Sequence, residues 1–298
     1  MTMGPTATAL LRLCRIPNVF TAFANVVAGV VLARRGGFEA RDLLLVAASG
    51  AFYTAGMVLN DVFDRDVDAR ERPERPIPSG AVPAAAAGAL GIGLLGLGLA
   101  LSGAASPRSL GVGAALAAAI LLYDGVLKGG GAGPLAMGLC RALNVTLGLT
   151  AAPPAEPWPW AAPAAAGLYT AALTYLARDE VGGSPLRRGR TFVVMMGLWA
   201  GLLLGTLALV ERRLPQAVPW WATLPFAAAL VTGGYRLFSP LWRSAGGPTI
   251  GRAIGGGILM MPVLDATLLA GFGHLRAALV ALSLAGPAAL LRRRFAMT

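Results

Sequence analysis

Apolar residues occur in this chain as long blocks, not at the alternating or 3.6-residue spacing of a half-buried strand or helix. Ten such blocks have about the length, roughly twenty residues, that crosses a bilayer as an α-helix. They cover 17–34, 42–62, 82–103, 109–127, 133–152, 160–178, 191–210, 218–237, 251–272 and 275–291. The polar segments between them are too short to fold alone. The pattern predicts an all-α, polytopic membrane helix bundle forming one domain over residues 1–298. Gly and Ala recur in every block, as suits helices that approach closely in lipid.

Composition agrees: 56% of residues are hydrophobic and 13% charged, with a mean hydropathy of +0.67. The basic residues set an orientation. With the N-terminus inside and ten crossings, seventeen of the 25 Lys and Arg fall in inner segments, including Arg12, Arg15, four arginines in 65–75, Lys128 and Arg178. Seven fall outside (Arg34, Arg35, Arg41, Arg108, Arg212, Arg213 and Arg276), and Arg141 lies within a span. That bias predicts a multi-pass protein of the inner (cytoplasmic) membrane with its loops after spans 2, 4 and 6 in the cytoplasm. The net charge of +11 is spread over many short loops and makes no concentrated basic face, which argues against nucleic acid as a partner. Arg12 and Arg15 precede the first apolar block without a cleavage pattern, so that block is read as a retained span. Cys14 and Cys140 have no metal-binding spacing and read as buried thiols. The single histidine, His274, is read as structural or solvated.

One stretch breaks the apolar pattern. Six of the fourteen acidic residues lie between Asp61 and Glu74, interleaved with Arg65, Arg70, Arg72 and Arg75, and the run ends Pro-Ile-Pro-Ser-Gly80. Charge at the end of a membrane helix is costly and marks a functional site. If span 2 continues as helix, Asn60, Asp64 and Asp68 share a face at i, i+4 and i+8, with Asp61 close to it. Carboxylates converging without neutralising partners call for a hard cation, and an all-oxygen set suits Mg²⁺ bridging to a substrate's phosphates. Arg72 and Arg75 complement the same phosphates by forked hydrogen bonds. Arg65, Asp66 and Arg70 read as surface bridges, worth about 0–1 kcal/mol each.

The motif Asn60-Asp61-x-x-Asp64-x-x-x-Asp68, followed by Arg75-Pro-Ile-Pro-Ser-Gly80, resembles the first signature of the UbiA superfamily of intramembrane prenyltransferases. Arg15-Ile-Pro-Asn18 looks like the family's opening, and Tyr123-Asp-Gly-Val-Leu-Lys128 resembles its Tyr…Leu-Lys element after span 4. Tyr175-Leu-Ala-Arg-Asp179-Glu180 stands where its second aspartate motif belongs. The match covers about residues 10–190, and the Tyr123–Asn144 and Ala177–Val181 stretches are similar to the Ebo-type members. The resemblance implies nine core transmembrane helices, to which span 275–291 adds a tenth. It also implies Mg²⁺-dependent transfer of a prenyl group from a prenyl diphosphate to a lipophilic acceptor, aromatic in type, among membrane lipids. Carried over residue by residue, Asn60, Asp64, Asp68 and Asp179 are implied at metal, and Arg72, Arg75 and Lys128 on the diphosphate. Tyr123 and Tyr175 would face the reactive end of the prenyl chain.

One departure stands out. The family's second motif holds two aspartates four apart, whereas here Asp179 is followed by Gly at 183. Glu180 on a continuing helix is turned about 100° away from Asp179. A second reading therefore stands beside the enzyme: a component that binds or transports a prenyl lipid without turnover. An ion-coupled transporter ranks last, because only Asp265 and Arg141 place charge deep in spans. Asp265 is read as pairing with a neighbouring helix, with contact to the acceptor as the alternative.

Overall fold

The computed structural model describes residues 5–154, 156–178, 185–213 and 220–294. Among them the chain is helical throughout its ordered elements, and every predicted span has a helical counterpart. A short helix α1 (Pro5–Leu13) leads into α2 (Ile16–Ala33) and α3 (Leu43–Phe63), and α4 (Arg65–Glu71) continues the path of α3 beyond the apolar block. Then come α5 (Ala84–Ala105), α6 (Pro107–Leu122), α7 (Gly133–Leu149) and α8 (Ala161–Ala177). The last part holds α9 (Pro185–Arg213), α10 (Leu224–Phe238), α11 (Gly247–Leu259), α12 (Met261–Gly271), α13 (Leu275–Ser283) and α14 (Ala285–Arg294). Span 9 is thus two helices meeting at Met260, one residue before the Met261-Pro262 start of α12, where proline removes a backbone donor. The last span is likewise divided, at Leu284. α9 starts six residues ahead of its predicted span, at a proline suited to the first turn.

Six of the described helices are long and apolar enough to cross a membrane, namely Ile16–Ala33, Ala40–Phe63, Ala84–Ala105, Pro107–Leu127, Pro185–Val210 and Gly247–Gly271. Their burial separates centre from rim. The α2 window is 78% buried within the protein, and those of α5 and α9 only 22%. Leu198 and Leu202 of α9 and Ile92 of α5 are exposed, which suits surfaces covered by lipid hydrocarbon. The chain is a multi-pass membrane helix bundle.

Glycines let the central helices touch. At the α2–α7 crossing, a Cβ on Gly148 would stand 2.2 Å from Val26 O, and one on Gly29 would stand 2.3 Å from Val145 O. Only backbone fits there, as in other small-residue contacts between membrane helices. At the end away from the polar island, Arg34 pairs directly with Asp42: Nη2 donates to Oδ1 at 3.1 Å, and Nε lies 2.8 Å from Oδ2. His274 lies against Gly36 there, and burial pushes its imidazole down from the ordinary value of 6.5, which fits its structural reading.

Candidate active site

Four helix ends meet at one end of the bundle. α3 does extend past Asn60: its hydrogen bonds run on through the Asp64 junction into α4, with Asp64 N to Asn60 O at 3.0 Å and Asp68 N to Asp64 O at 2.8 Å. Asn60, Asp64 and Asp68 therefore stay on one face, as the spacing predicts. Their neighbours differ from the expectation. The carboxylates are not left converging without neutralising partners, because each has a basic side chain against it. Arg75 Nη1 lies 2.6 Å from Asp68 Oδ2 and 3.4 Å from Asp61 Oδ1. Arg15 Nη2 donates to Asp61 Oδ1 at 3.0 Å, and Lys128 pairs with Asp64. Among the described residues no three Asp, Glu, His or Cys side chains converge as a metal cluster.

Local backbone explains how these side chains are aimed. Arg15 sits between α1 and α2 with φ 45° and ψ 46°, a left-handed conformation that costs a non-glycine residue about 1–3 kcal/mol. Its bond to the buried Asp61 helps offset that cost. The Pro-Ile-Pro-Ser-Gly segment closes a turn, Ser79 N to Arg75 O and Val82 N to Pro76 O, with Gly80 at φ 76° where a side chain would strain. Ile77 and Val82 anchor that turn on Leu13, Val58 and Ala87, which seats Arg75 over Asp68. After α6 the chain widens into a π turn, Tyr123–Leu127, closed by Lys128 N to Tyr123 O at 3.0 Å. Such turns recur at functional sites. Here it brings two successive side chains, Tyr123 and Asp124, to the wall of one cavity.

Asp124 is buried. Asn60 Nδ2 donates to its Oδ1 at 2.9 Å, and its Oδ2 has no hydrogen-bond partner among the described residues. An unsatisfied buried carboxylate oxygen is expensive and calls for a donor or a cation. Below it a cavity opens between α3, α6 and α7, walled largely by apolar side chains such as Phe52, Met57, Leu116 and Ile120. The charged mouth and the apolar cavity thus share Tyr123 and Asp124.

The structure brings together Asn60, Asp64, Asp68, Arg75, Tyr123 and Lys128. Arg72 is half-buried at the end of α4. Tyr175 is half-buried near the end of α8, which Arg178 ties to the Lys128 loop by donating to Gly129 O at 3.1 Å. Tyr175 is not among the residues of the cavity wall. Asp179, Glu180 and Gly183 lie outside the described residues. Arg65 and Asp66 form only an exposed 3.5 Å bridge, and Arg70 donates to Asp66 O, as their surface reading anticipates. Three residues here had no role in the sequence reading: Arg15, Asp61 and Asp124. Each stands inside a motif already singled out there, but spacing along one helix cannot show pairing between α2, α3 and the π turn.

Comparisons with known proteins place this geometry. No curated protein matches the chain by sequence. Its fold is similar to that of a digeranylgeranylglyceryl phosphate synthase in membranes, with TM-score 0.67 and 18% identity over 91% of this chain and 99% of that one. It is similar as well to a UbiA homologue from Archaeoglobus fulgidus bound to GPP and Mg²⁺, with TM-score 0.63 and 14% identity over 92% and 99% of the two chains. An apo UbiA homologue from Aeropyrum pernix K1 gives TM-score 0.53 at 17% identity over 92% and 98%. At these identities the likeness is one of fold. The sequence itself goes further: the model of the UbiA prenyltransferase family matches residues 22–247, well over half of the chain, and the chain belongs to that family as a membrane prenyltransferase.

Proposed function

We propose that the protein transfers a prenyl group from a prenyl diphosphate to a lipophilic acceptor of aromatic type, with Mg²⁺ at the mouth formed by α3, α4 and the π turn. The observation that carries this reading is the charged mouth opening on an apolar cavity, with Tyr123 and Asp124 belonging to both. Relatives of the same fold have been seen with GPP and Mg²⁺ and with DMAPP and Mg²⁺.

The residues present fit a hard cation. The donors are all oxygen, and beside Asn60 the buried Asp124 Oδ2 lacks a partner among the described residues. Mg²⁺ usually takes one or two carboxylates and completes its shell with waters and substrate phosphates, so three converging acids are not required. Asn60, Asp64 and Asp68 are the proposed holders, with Asp179 as a further ligand from the second motif. When bound, the cation would draw charge from the departing diphosphate.

The chain's own groups supply the rest. The C1–O bond of the prenyl diphosphate breaks with its electron pair leaving on the diphosphate oxygen, where Arg72, Arg75 and Lys128 offset the growing negative charge. The allylic cation left behind is stabilised by the face of Tyr123, which lines the cavity, whereas Tyr175 stands off that wall. The acceptor then bonds to C1 and gives up a proton. The apolar cavity keeps water from the cation.

The test is diphosphate release in nanodiscs from geranyl, farnesyl and geranylgeranyl diphosphate, with and without Mg²⁺, using the cell's lipid extract as acceptor. Mg²⁺-dependent release that disappears in Asp64→Ala supports the reading. Tight Mg²⁺-dependent binding without release from any donor would establish the binding or transport protein, the reading that Gly at position 183 favours.

A further inference from the structure

A second cavity lies apart from the one below the charged mouth and shares no lining residue with it. It is a groove of about 800 Å³ between α9 and α10, open to the side of the bundle, where Val231 and Tyr235 are 45% and 73% exposed. Its floor is aromatic: Tyr169 of α8 and Trp199 of α9 stand 5.1 Å apart between ring centroids. The polar atoms of both rings are already used inside the protein. Tyr169 Oη donates to Gly257 O at 2.8 Å, and Trp199 Nε1 donates to Ala165 O at 3.2 Å. The rings therefore offer an occupant apolar surface alone, which suits hydrocarbon.

The path of the chain sets the groove's depth in the bilayer. Arg178 holds the end of α8 at the mouth, on Gly129 O, and α9 starts at Pro185. The chain between them reaches at most about 25 Å, less than the roughly 30 Å of hydrocarbon, so α9 starts on the mouth side. Arg190 Nε donates to Trp242 O at 3.1 Å, which puts the turn after α10 on that side too. From there the groove runs along α10 from Phe238 to Leu230, about 12 Å at 1.5 Å per residue. It ends against Tyr169 and Met260, the joint of span 9. That depth is close to half the hydrocarbon, about 15 Å, as one leaflet's acyl chain requires. A partner helix crossing the membrane would need a groove of full length.

The mouth-side end of the groove is basic. Arg243 lines it with an exposed side chain. The Arg190 guanidinium lies over the Trp242 ring, 5.6 Å from the centroid, and its bond to Trp242 O fixes it there. Arg187 and Arg236 belong to the same ends of α9 and α10. No acidic residue occurs over 181–210 or 212–264, so at this end no carboxylate of α9, α10 or the turn after α10 offsets the arginines. Two guanidinium groups beside an interfacial tryptophan are suited to a lipid phosphate.

We propose that the α9–α10 groove binds an anionic membrane lipid of the mouth-side leaflet. Its phosphate rests on Arg190 and Arg243, and one acyl chain lies between the helices down to Tyr169. The lipid is a bound partner of the fold, neither prenyl donor nor acceptor, so the inference stands apart from the prenyl-transfer reading. Because the groove exists only in the folded bundle, occupancy stabilises the protein.

The experiment gives the full-length protein in detergent equal amounts of phosphatidylglycerol and phosphatidylcholine with matched chains. Native mass spectrometry counts the lipid retained, and a melting curve is taken in each lipid. One phosphatidylglycerol per chain is expected, favoured about tenfold, the worth of a single charge-assisted hydrogen bond, and it should raise the melting temperature more than phosphatidylcholine does. Arg243→Gln and Arg190→Gln should each reduce that preference, and the double variant should abolish it. Gly197 lines the groove, and a Cβ there meets nothing within 4 Å. Gly197→Phe therefore fills the groove without displacing protein atoms and should lose the retained lipid. Gly205→Phe, at an equally open position of α9 beyond the groove, should keep it. Inorganic phosphate should neither displace the lipid nor shift the melting curve, which separates a lipid site from a free-phosphate site. Gly197→Phe acts on the chain and Arg243→Gln on the headgroup, so a folding defect in one leaves the other to decide. Equal retention of the two lipids, retention of neither, unchanged retention in Gly197→Phe, or displacement by inorganic phosphate would overturn the proposal.

Discussion

Arg75 holds two carboxylates with one nitrogen. Among the described residues Arg75 is the one basic side chain paired with Asp68, whereas Asp61 also has Arg15. Arg75→Gln therefore leaves Asp68, which is 4% exposed, as a buried charge without its cation. Breaking such a pair costs roughly 3–5 kcal/mol in a dry interior and nearer the lower figure at a wet mouth. The variant should lose thermal stability in detergent and lose transfer as well. Asp64→Ala behaves differently. It removes a half-exposed acid at the water's edge, so its melting temperature should stay close to that of the wild type while diphosphate release falls to background. If Asp64→Ala kept near-normal turnover, the assignment of that carboxylate to the metal would be wrong.

Two elements carry the geometry between these residues. The first is the π turn after α6, whose extra residue decouples Tyr123 and Asp124 from Lys128. Deleting Gly125 should restore ordinary helix and rotate the two flanking groups by about 100° relative to each other. Transfer should be lost while the protein still inserts and folds, as judged by size-exclusion chromatography and a melting curve. The second is the α2–α7 crossing, where Gly148→Ala places a carbon 2.2 Å from Val26 O and forces the helices apart. Because the Arg141–Asn25 bond spans the same two helices, that variant should lose stability, read as a lower melting temperature in detergent. These elements also show where sequence reading stops. Hydropathy located the membrane helices because lipid imposes a length on each of them. The Asn60/Asp64/Asp68 face was legible because four-residue spacing is a local property of one helix. The π turn was not, since Tyr123-Asp-Gly-Val-Leu fits a regular helix equally well, and the Asn25–Asp265 bond joins residues 240 apart in the chain. Such a contact leaves no periodic trace.

Across the whole molecule, we propose from the positive-inside bias that the charged mouth faces the cytoplasm. With Cys14 and Cys140 replaced by serine, Glu71→Cys should react with a membrane-impermeant maleimide in inside-out vesicles and Phe38→Cys only in right-side-out ones; the reverse labelling would invert the topology. Both positions are exposed, and they lie at opposite ends of the bundle. At the mouth, the basic residues proposed for the diphosphate already hold the acids proposed for the metal: Lys128 on Asp64, and Arg75 on Asp68. The resting site is thus a small ion exchanger loaded with its own side chains. A diphosphate that takes the lysine and arginine releases the aspartates, and a divalent cation that takes the aspartates releases the lysine and arginine. Each ligand does part of the other's work, so their affinities rise together and by the same factor.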